Sequence, residues 1–217
     1  MRTQHTYGVD IAMTRADDLD KKMIVDVAKQ VQEGYSPSVL DLGCGGGGQS
    51  IRLASVGALV VGVDIDDQTD GFSVLRATQG LSEGSLEFRL GDISKLTAVV
   101  RNQKFDNVCL QRVLHYVPYA TALLLLCDLR ARIHLGGKLY IAVTGLESAI
   151  GREYKDADKS VVDRFCRLNA TAAETFSITQ PLCLYTPEEF ILLLQESTWE
   201  IEECWVSAFG NIKVVCR

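Results

Sequence analysis

The sequence predicts an α/β fold: a doubly wound, largely parallel sheet with helices on both faces. Three observations carry this. Short apolar runs alternate with helical patterns from residue 38 to residue 143, the order that builds strand–helix–strand units. The run Leu59–Val63 is almost wholly aliphatic, as a strand buried on both faces must be. The alternation then breaks in the last thirty residues, where two β-rich segments follow one another without a helix between them.

In order, residues 16–33 read as a helix, with Leu19, Met23, Val27 and Val31 recurring every four residues and Asp17 and Asp18 in its first turn. Val39–Leu42 is a strand running into glycines. Gln49–Val56 is a helix stopped by Gly57. Leu59–Val63 is the second strand, Phe72–Leu81 a helix, and Leu86–Leu90 and Phe105–Leu110 two further strands. Tyr119–Ile133 is a helix entered through Pro118 and stopped near Gly136-Gly137, and Lys138–Val143 is a fifth strand. Thr186-Pro187-Glu188-Glu189 is a capping box with proline at the first helical position. It opens a helix over Phe190–Gln195. Trp199–Ser207 and Asn211–Cys216 flank the turn chemistry of Phe209-Gly210-Asn211 and read as an antiparallel pair. Residues 145–180 carry little strand signal; a helix near Ala157–Asn169 is expected there, within a cap on the substrate side.

Composition narrows the function. At 217 residues the chain reads as a single domain over 1–217. Its parts are an N-terminal lid and helix (1–35), a cofactor-binding core (36–145), the cap (146–180) and a C-terminal helix and hairpin (181–217). With 22 basic against 28 acidic residues the net charge is −6, which argues against a nucleic-acid partner, since such binders need a basic footprint. Leu123–Cys127 is five apolar residues where a membrane span needs about 20, so no membrane partner is expected. The N-terminus Met1–Tyr7 has no apolar segment of the signal-peptide kind. The seven cysteines are scattered, without a CxxC pair; they read as reduced, mostly packed thiols of a cytoplasmic protein, with no metal site. A monomer or homodimer is expected.

The chemistry concentrates in Val39-Leu40-Asp41-Leu42-Gly43-Cys44-Gly45-Gly46-Gly47-Gly48-Gln49. A strand ends in glycines and a helix begins, so backbone can approach a ligand with no Cβ in the way. Gly43, Gly45 and Gly48 satisfy GxGxxG, which leaves a nicotinamide dinucleotide open. Three acids weigh differently. Asp41, two residues before Gly43, suits a ligand with an ammonium or sulfonium and suits pyrophosphate poorly. Asp64, ending the second strand before Ile65, can accept from both ribose hydroxyls. Asp92, beside Ile93 at the end of the third strand, can accept from an adenine amino group while the isoleucine packs on the ring.

With these residues in place the sequence resembles the class I S-adenosylmethionine-dependent methyltransferases, in their small-molecule branch. Asp41 with Gly43, Gly45 and Gly47 is similar to the family's first motif, Asp64 to its ribose acid and Asp92 to its adenine-side acid. Phe105–His115 resembles the fourth-strand motif and its exit, and Leu135-Gly136-Gly137-Lys138-Leu139 the turn into strand five. The resemblance implies a Rossmann-like sheet of seven strands, order 3-2-1-4-5-7-6, with strand 7 antiparallel. It implies S-adenosyl-L-methionine as cofactor, S-adenosyl-L-homocysteine as product, and methyl transfer to O or N of a small molecule by in-line displacement. Cofactor contacts would come from Asp41, Gly43, Cys44, Gly45, Gly47, Asp64, Ile65, Asp92, Ile93 and Gln111.

Past the fourth strand, His115 lies where the family places residues facing the transferred methyl; it reads either as a general base or as a structural hydrogen-bonder. Tyr7, Arg112 and Tyr116 are candidate substrate residues. Gln111–His115 lacks the [DN]PP[YFW] motif of amino-methylating nucleic-acid enzymes, and Gln180-Pro181-Leu182-Cys183 departs by one residue from the Pro-Cys of cytosine C5 enzymes. Each acid also has a plainer reading as a cap, and Cys44 as loop filler. An NAD(P)-dependent oxidoreductase and a non-catalytic cofactor-binding sensor or partner subunit are the competing functions. Four consecutive glycines, Gly45–Gly48, exceed what the motif needs.

Overall fold

A computed structural model describes residues 7–217; the first six residues of the expected lid lie outside the described residues. The sheet has seven strands in the order β3-β2-β1-β4-β5-β7-β6. These are β1 (Ser38–Leu42), β2 (Leu59–Asp64), β3 (Leu86–Leu90), β4 (Phe105–Gln111), β5 (Ile133–Thr144), β6 (Ile201–Val206) and β7 (Asn211–Cys216). β1 pairs in parallel with β2 and β4, β2 in parallel with β3, and β6 antiparallel with β7. The helices are α1 (Asp18–Gln32), α2 (Gly48–Ser55), α3 (Thr69–Gln79), α4 (Leu96–Val100), α5 (Tyr119–Ala131), α6 (Ala170–Phe176) and α7 (Pro187–Glu196). No helix among the described residues is long and apolar enough to cross a membrane.

The chain divides into two compact units. One comprises Asp10–Leu110 and Ala131–Tyr140; the other comprises residues 7–9, Gln111–Arg130 and Ile141–Cys216.

In the first unit, Leu19, Met23 and Val27 of α1 are fully buried, as their spacing requires. Asp17 is the N-cap rather than a first-turn residue, sharing a reciprocal capping box with Asp20. The central strands bury Val39, Leu40, Val60, Val63, Val108 and Leu110, the continuous aliphatic surface that parallel strands covered on both faces need. Strand β5 begins at Ile133, five residues before the expected Lys138, and so runs through Gly136-Gly137. A Cβ on Gly137 would overlap the Asp106 carbonyl, so this glycine lets the backbone approach within the sheet, while Gly136 takes a positive φ of 83°.

In the second unit, the capping box opening α7 is formed as expected: Glu189 N–H donates to Thr186 Oγ1 (3.2 Å) and Thr186 N–H to Glu189 Oε2 (2.8 Å). The expected helix over 157–169 does not form. Only a short 3-10 turn at Val161–Asp163 and α6, capped by Asn169, occur there. The physical reason is Arg164, whose buried guanidinium takes the carbonyls of Lys159 (2.6 Å), Leu184 (2.8 Å) and Ala157 (3.3 Å) and the Glu189 carboxylate (2.6 and 3.0 Å). Carbonyls used this way are withdrawn from a helical ladder. The cap region builds its own apolar cluster from Tyr154, Cys166, Leu168, Ala172, Ile178, Leu182 and Leu184.

Candidate functional site

In the first unit the glycine loop leaves β1 at Leu42 and enters α2 at Gly48. Gly43, Gly45 and Gly47 all have positive φ, at 66°, 51° and 85°, conformations that a side-chain-bearing residue adopts only with strain. The Gly43 and Cys44 N–H groups donate to the Val63 carbonyl (2.8 and 3.1 Å). Asp64, at the end of β2, accepts from Gly45 N–H through Oδ2 (2.8 Å) and from Asp66 N–H through Oδ1 (3.0 Å). Burial nonetheless raises its carboxyl above the usual range.

Asp41 is buried and accepts from the Ser50 hydroxyl on the first turn of α2 (2.6 Å). Burial pushes its carboxyl up to about 6, against the Ser50 hydrogen bond and with the charges of Asp20 and Asp64 adding to the rise. A carboxylate kept there against such desolvation is a mark of function. Cys44 is packed, and burial, with the charges of Asp41, Asp64 and Asp10, pushes its thiol far above its ordinary range; it is loop filler.

A strap formed by residues 10–13 lies against this loop. Asp10 Oδ2 accepts from Gly46 N–H (2.9 Å), Met13 N–H donates to Asp10 Oδ1 (3.3 Å), and the Arg52 guanidinium donates to the Ala12 carbonyl (2.5 Å). The strap accounts for the surplus glycines. A Cβ on Gly45 would overlap the Asp10 carboxylate, on Gly46 the Met13 sulfur, and on Gly48 the Ala12 carbonyl. Gly47 faces Phe72 instead. Sequence reasoning missed Asp10, Ala12, Met13, Ser50 and Arg52; the glycine run itself was the signal that another backbone approaches closely.

Asp92 caps the 3-10 turn at Ile93–Lys95 by accepting from Ser94 N–H (2.9 Å). This is the plainer of its two readings, and that bond uses only the Oδ1 oxygen of the carboxylate. Ile93 is buried and Ile65 half exposed. The glycine-rich loop and the carboxylates of Asp10, Asp41 and Asp64 beside it fit a nucleoside carrying positive charge better than a pyrophosphate.

The second unit gathers Gln111, Arg112, His115, Tyr116 and Tyr7. Gln111 ends β4 and Arg112 follows with φ 56°. The Tyr116 hydroxyl donates to the Tyr7 carbonyl (2.7 Å), and the two rings meet edge to face at 5.0 Å. His115 stacks at a tilt against Tyr116, 4.4 Å between centroids. Its Nδ1 accepts from Thr144 N–H (3.3 Å), which places the ring proton on Nε2. Burial, helped by the Arg112 charge, lowers its pKa to about 3. So the ring is neutral and offers a donor at Nε2. A general base needs the free lone pair there, so the geometry favours the structural of the two sequence readings.

Comparison with known proteins places the family and the fold. A methyltransferase-domain family model matches residues 36–171, well over half of the chain. The ubiquinone biosynthesis O-methyltransferase of Coxiella burnetii is 33% identical over 122 residues, 54% of this chain and 50% of that protein. The magnesium-protoporphyrin O-methyltransferase of Synechocystis is 38% identical over 94 residues, 42% of this chain and 39% of that protein. The chain thus spans about half the length, or less, of these curated relatives. Among solved structures, an S-adenosylmethionine-dependent methyltransferase from Clostridium acetobutylicum superposes with TM-score 0.69 at 15% identity, covering 95% of this chain and 94% of that one. Magnesium protoporphyrin IX methyltransferase from Synechocystis, with bound S-adenosylhomocysteine, gives 0.61 at 21%, covering 91% and 82%. Both show the shared fold. On the match of the family model, the chain belongs to the methyltransferase-domain family.

Proposed function

We propose that the chain moves a methyl group from S-adenosyl-L-methionine to O or N of a small molecule by in-line displacement. The observation that carries this reading is the acid–glycine–acid arrangement of one unit: buried Asp41, the loop Gly43–Gly47, and Asp64 holding Gly45 N–H. The names of the curated relatives, both O-methyltransferases, support oxygen as the acceptor atom. A neighbour in the same fold is an N1-methyltransferase of a small heterocycle, which supports nitrogen.

When bound, the cofactor supplies an already activated sulfonium methyl. The chain's own residues then bind, orient and exclude water, and positioning of this kind is worth about 7–11 kcal/mol in favourable cases. Asp64 would accept from the ribose hydroxyls with its orientation fixed by two backbone amides. Asp41 contributes negative potential from a buried position and braces α2 through Ser50. Gly43, Cys44, Gly45 and Gly47 would present backbone, Ile65 and Ile93 apolar surface, and Asp92 a hydrogen-bond acceptor to the adenine. In the other unit, Tyr7, Arg112 and Tyr116 would receive the acceptor molecule, with Gln111 at the strand end beside them in sequence. His115 holds the Thr144 amide and the Tyr116 ring rather than taking a proton. The seven cysteines are all free thiols, which supports a reducing, cytoplasmic setting; five are buried and Cys127 and Cys204 exposed.

Titration calorimetry with S-adenosylmethionine, S-adenosylhomocysteine and NADH tests the reading. Binding of the two adenosyl compounds without NADH is expected. Binding of NADH alone would overturn it.

A further inference from the structure

Arg112 stands apart from the other arginines. Every other described arginine that is at least partly buried has a hydrogen-bonded guanidinium: Arg52, Arg76, Arg89, Arg130, Arg132 and Arg164. Arg112, also a partly buried residue, has no hydrogen bond or ion pair from its guanidinium to any described residue. Its backbone is held in the left-handed region, φ 56°, with its N–H donating to the Ala142 carbonyl (2.7 Å). Glycine or asparagine would sit there with little strain, whereas a long side chain is disfavoured by about 1–2 kcal/mol. Strain of this kind, held by the surroundings and carrying a cation with no partner among the described residues, points to a ligand.

The neighbours define what that ligand carries. The Arg112 charge is felt by both the His115 ring and the Tyr116 phenol. Tyr116 meets the 39% exposed Tyr7 edge to face. His115 is buried and uncharged, so it adds no second cation. A planar guanidinium on the same short segment after β4 as Tyr116, whose ring meets Tyr7, is suited to an oxyanion attached to a flat apolar ring. We propose that Arg112 is the anion receptor of the methyl acceptor, and that this acceptor bears a carboxylate or phosphate on an aromatic ring packed against Tyr7 and Tyr116. The assignment rests on the methyltransferase reading for calling the ligand the acceptor, but the anion site itself does not.

The experiment is calorimetry on the full chain, saturated with S-adenosylhomocysteine, using benzoate, phenyl phosphate and the uncharged benzamide as probes. At least one anion is expected to bind about tenfold or more tighter than benzamide. Arg112→Gln is expected to abolish that preference, with S-adenosylhomocysteine affinity unchanged. Arg112→Lys, which keeps the charge and loses the fork, should retain part of it. Arg112→Gly suits the left-handed backbone, so it folds and should lose the preference as Arg112→Gln does. The two anions distinguish a carboxylate from a phosphate source. Equal binding of benzamide and both anions, no saturable binding of either anion, or anion binding that survives Arg112→Gln would each overturn the proposal. Failure of S-adenosylhomocysteine to bind while the anions still depend on Arg112 would overturn the cofactor reading instead.

Discussion

Replacing Asp41 by asparagine should make the protein more stable near neutral pH, although it removes a charge from the glycine-loop site. Asp41 is buried, and its carboxyl is displaced from 3.8 to about 6. Since the folded state holds this proton more tightly than the unfolded chain, the stability it confers is complete below the unfolded pKa and lost as pH rises through the folded one. From 3.8 to about 6, at ~1.36 kcal/mol per pH unit, the ionised group costs about 3 kcal/mol above pH 6. Asparagine keeps the shape and an acceptor for Ser50 without the charge. Urea denaturation of both proteins across this range is the assay. The variant should exceed the parent by up to about 3 kcal/mol near neutrality, the gap closing toward about pH 4. The variant should also lose more affinity for cationic S-adenosylmethionine than for neutral S-adenosylhomocysteine. A variant less stable near neutrality, or a gap that does not change with pH, would refute the reasoning.

Further outcomes follow from the same geometry. Asp64→Ala removes the acceptor for Gly45 and Asp66 N–H and should weaken S-adenosylhomocysteine binding by about 1–3 kcal/mol; unchanged affinity in calorimetry would remove the ribose role. His115, lowered to about 3 by burial and Arg112, should show a flat carbon NMR shift through pH 6.5. Because its folded pKa lies below the unfolded one, its contribution to stability is present above the unfolded value and lost as pH falls toward about 3. A titration midpoint near 6.5 would contradict that burial. His115→Ala leaves Thr144 N–H without its acceptor and should cost about 1–3 kcal/mol of stability, read by thermal melts, with cofactor affinity nearly intact. Gly48→Ala collides with the Ala12 carbonyl and should release the strap, accelerating tryptic cleavage after the exposed Arg15; an unchanged cleavage rate would count against the strap.

The strands were legible because parallel sheets covered on both faces demand unbroken aliphatic runs, and Leu59–Val63 can satisfy little else. The tail hairpin and the α7 capping box were legible because turn and cap chemistry is local. The segment 157–169 misled because Val161, Phe165 and Leu168 mimic a helical stripe, while what decides is the burial of Arg164 and its claim on the Ala157 and Lys159 carbonyls and on the distant Leu184 carbonyl. Of the site, Asp41, Asp64 and the glycine loop could be read from position along strands. Asp10 could not, because a glycine announces a close neighbour without naming it, and this neighbour is thirty-six residues away in the chain. Likewise, that Arg112 has no partner among the described residues is a property of what surrounds it in space.

The strap makes the chain's beginning and its glycine loop a single mechanical part. Gly46 N–H can exchange its hydrogen with solvent only when Asp10 lets go, so the exchange rate of that one amide is a clock for strap opening. Substitutions at Asp10 and Gly46 should therefore fail to add in a double-mutant cycle. Deleting residues 10–13 would alter the loop as directly as mutating a glycine, since Asp10, Ala12 and Met13 are the neighbours that its glycines accommodate.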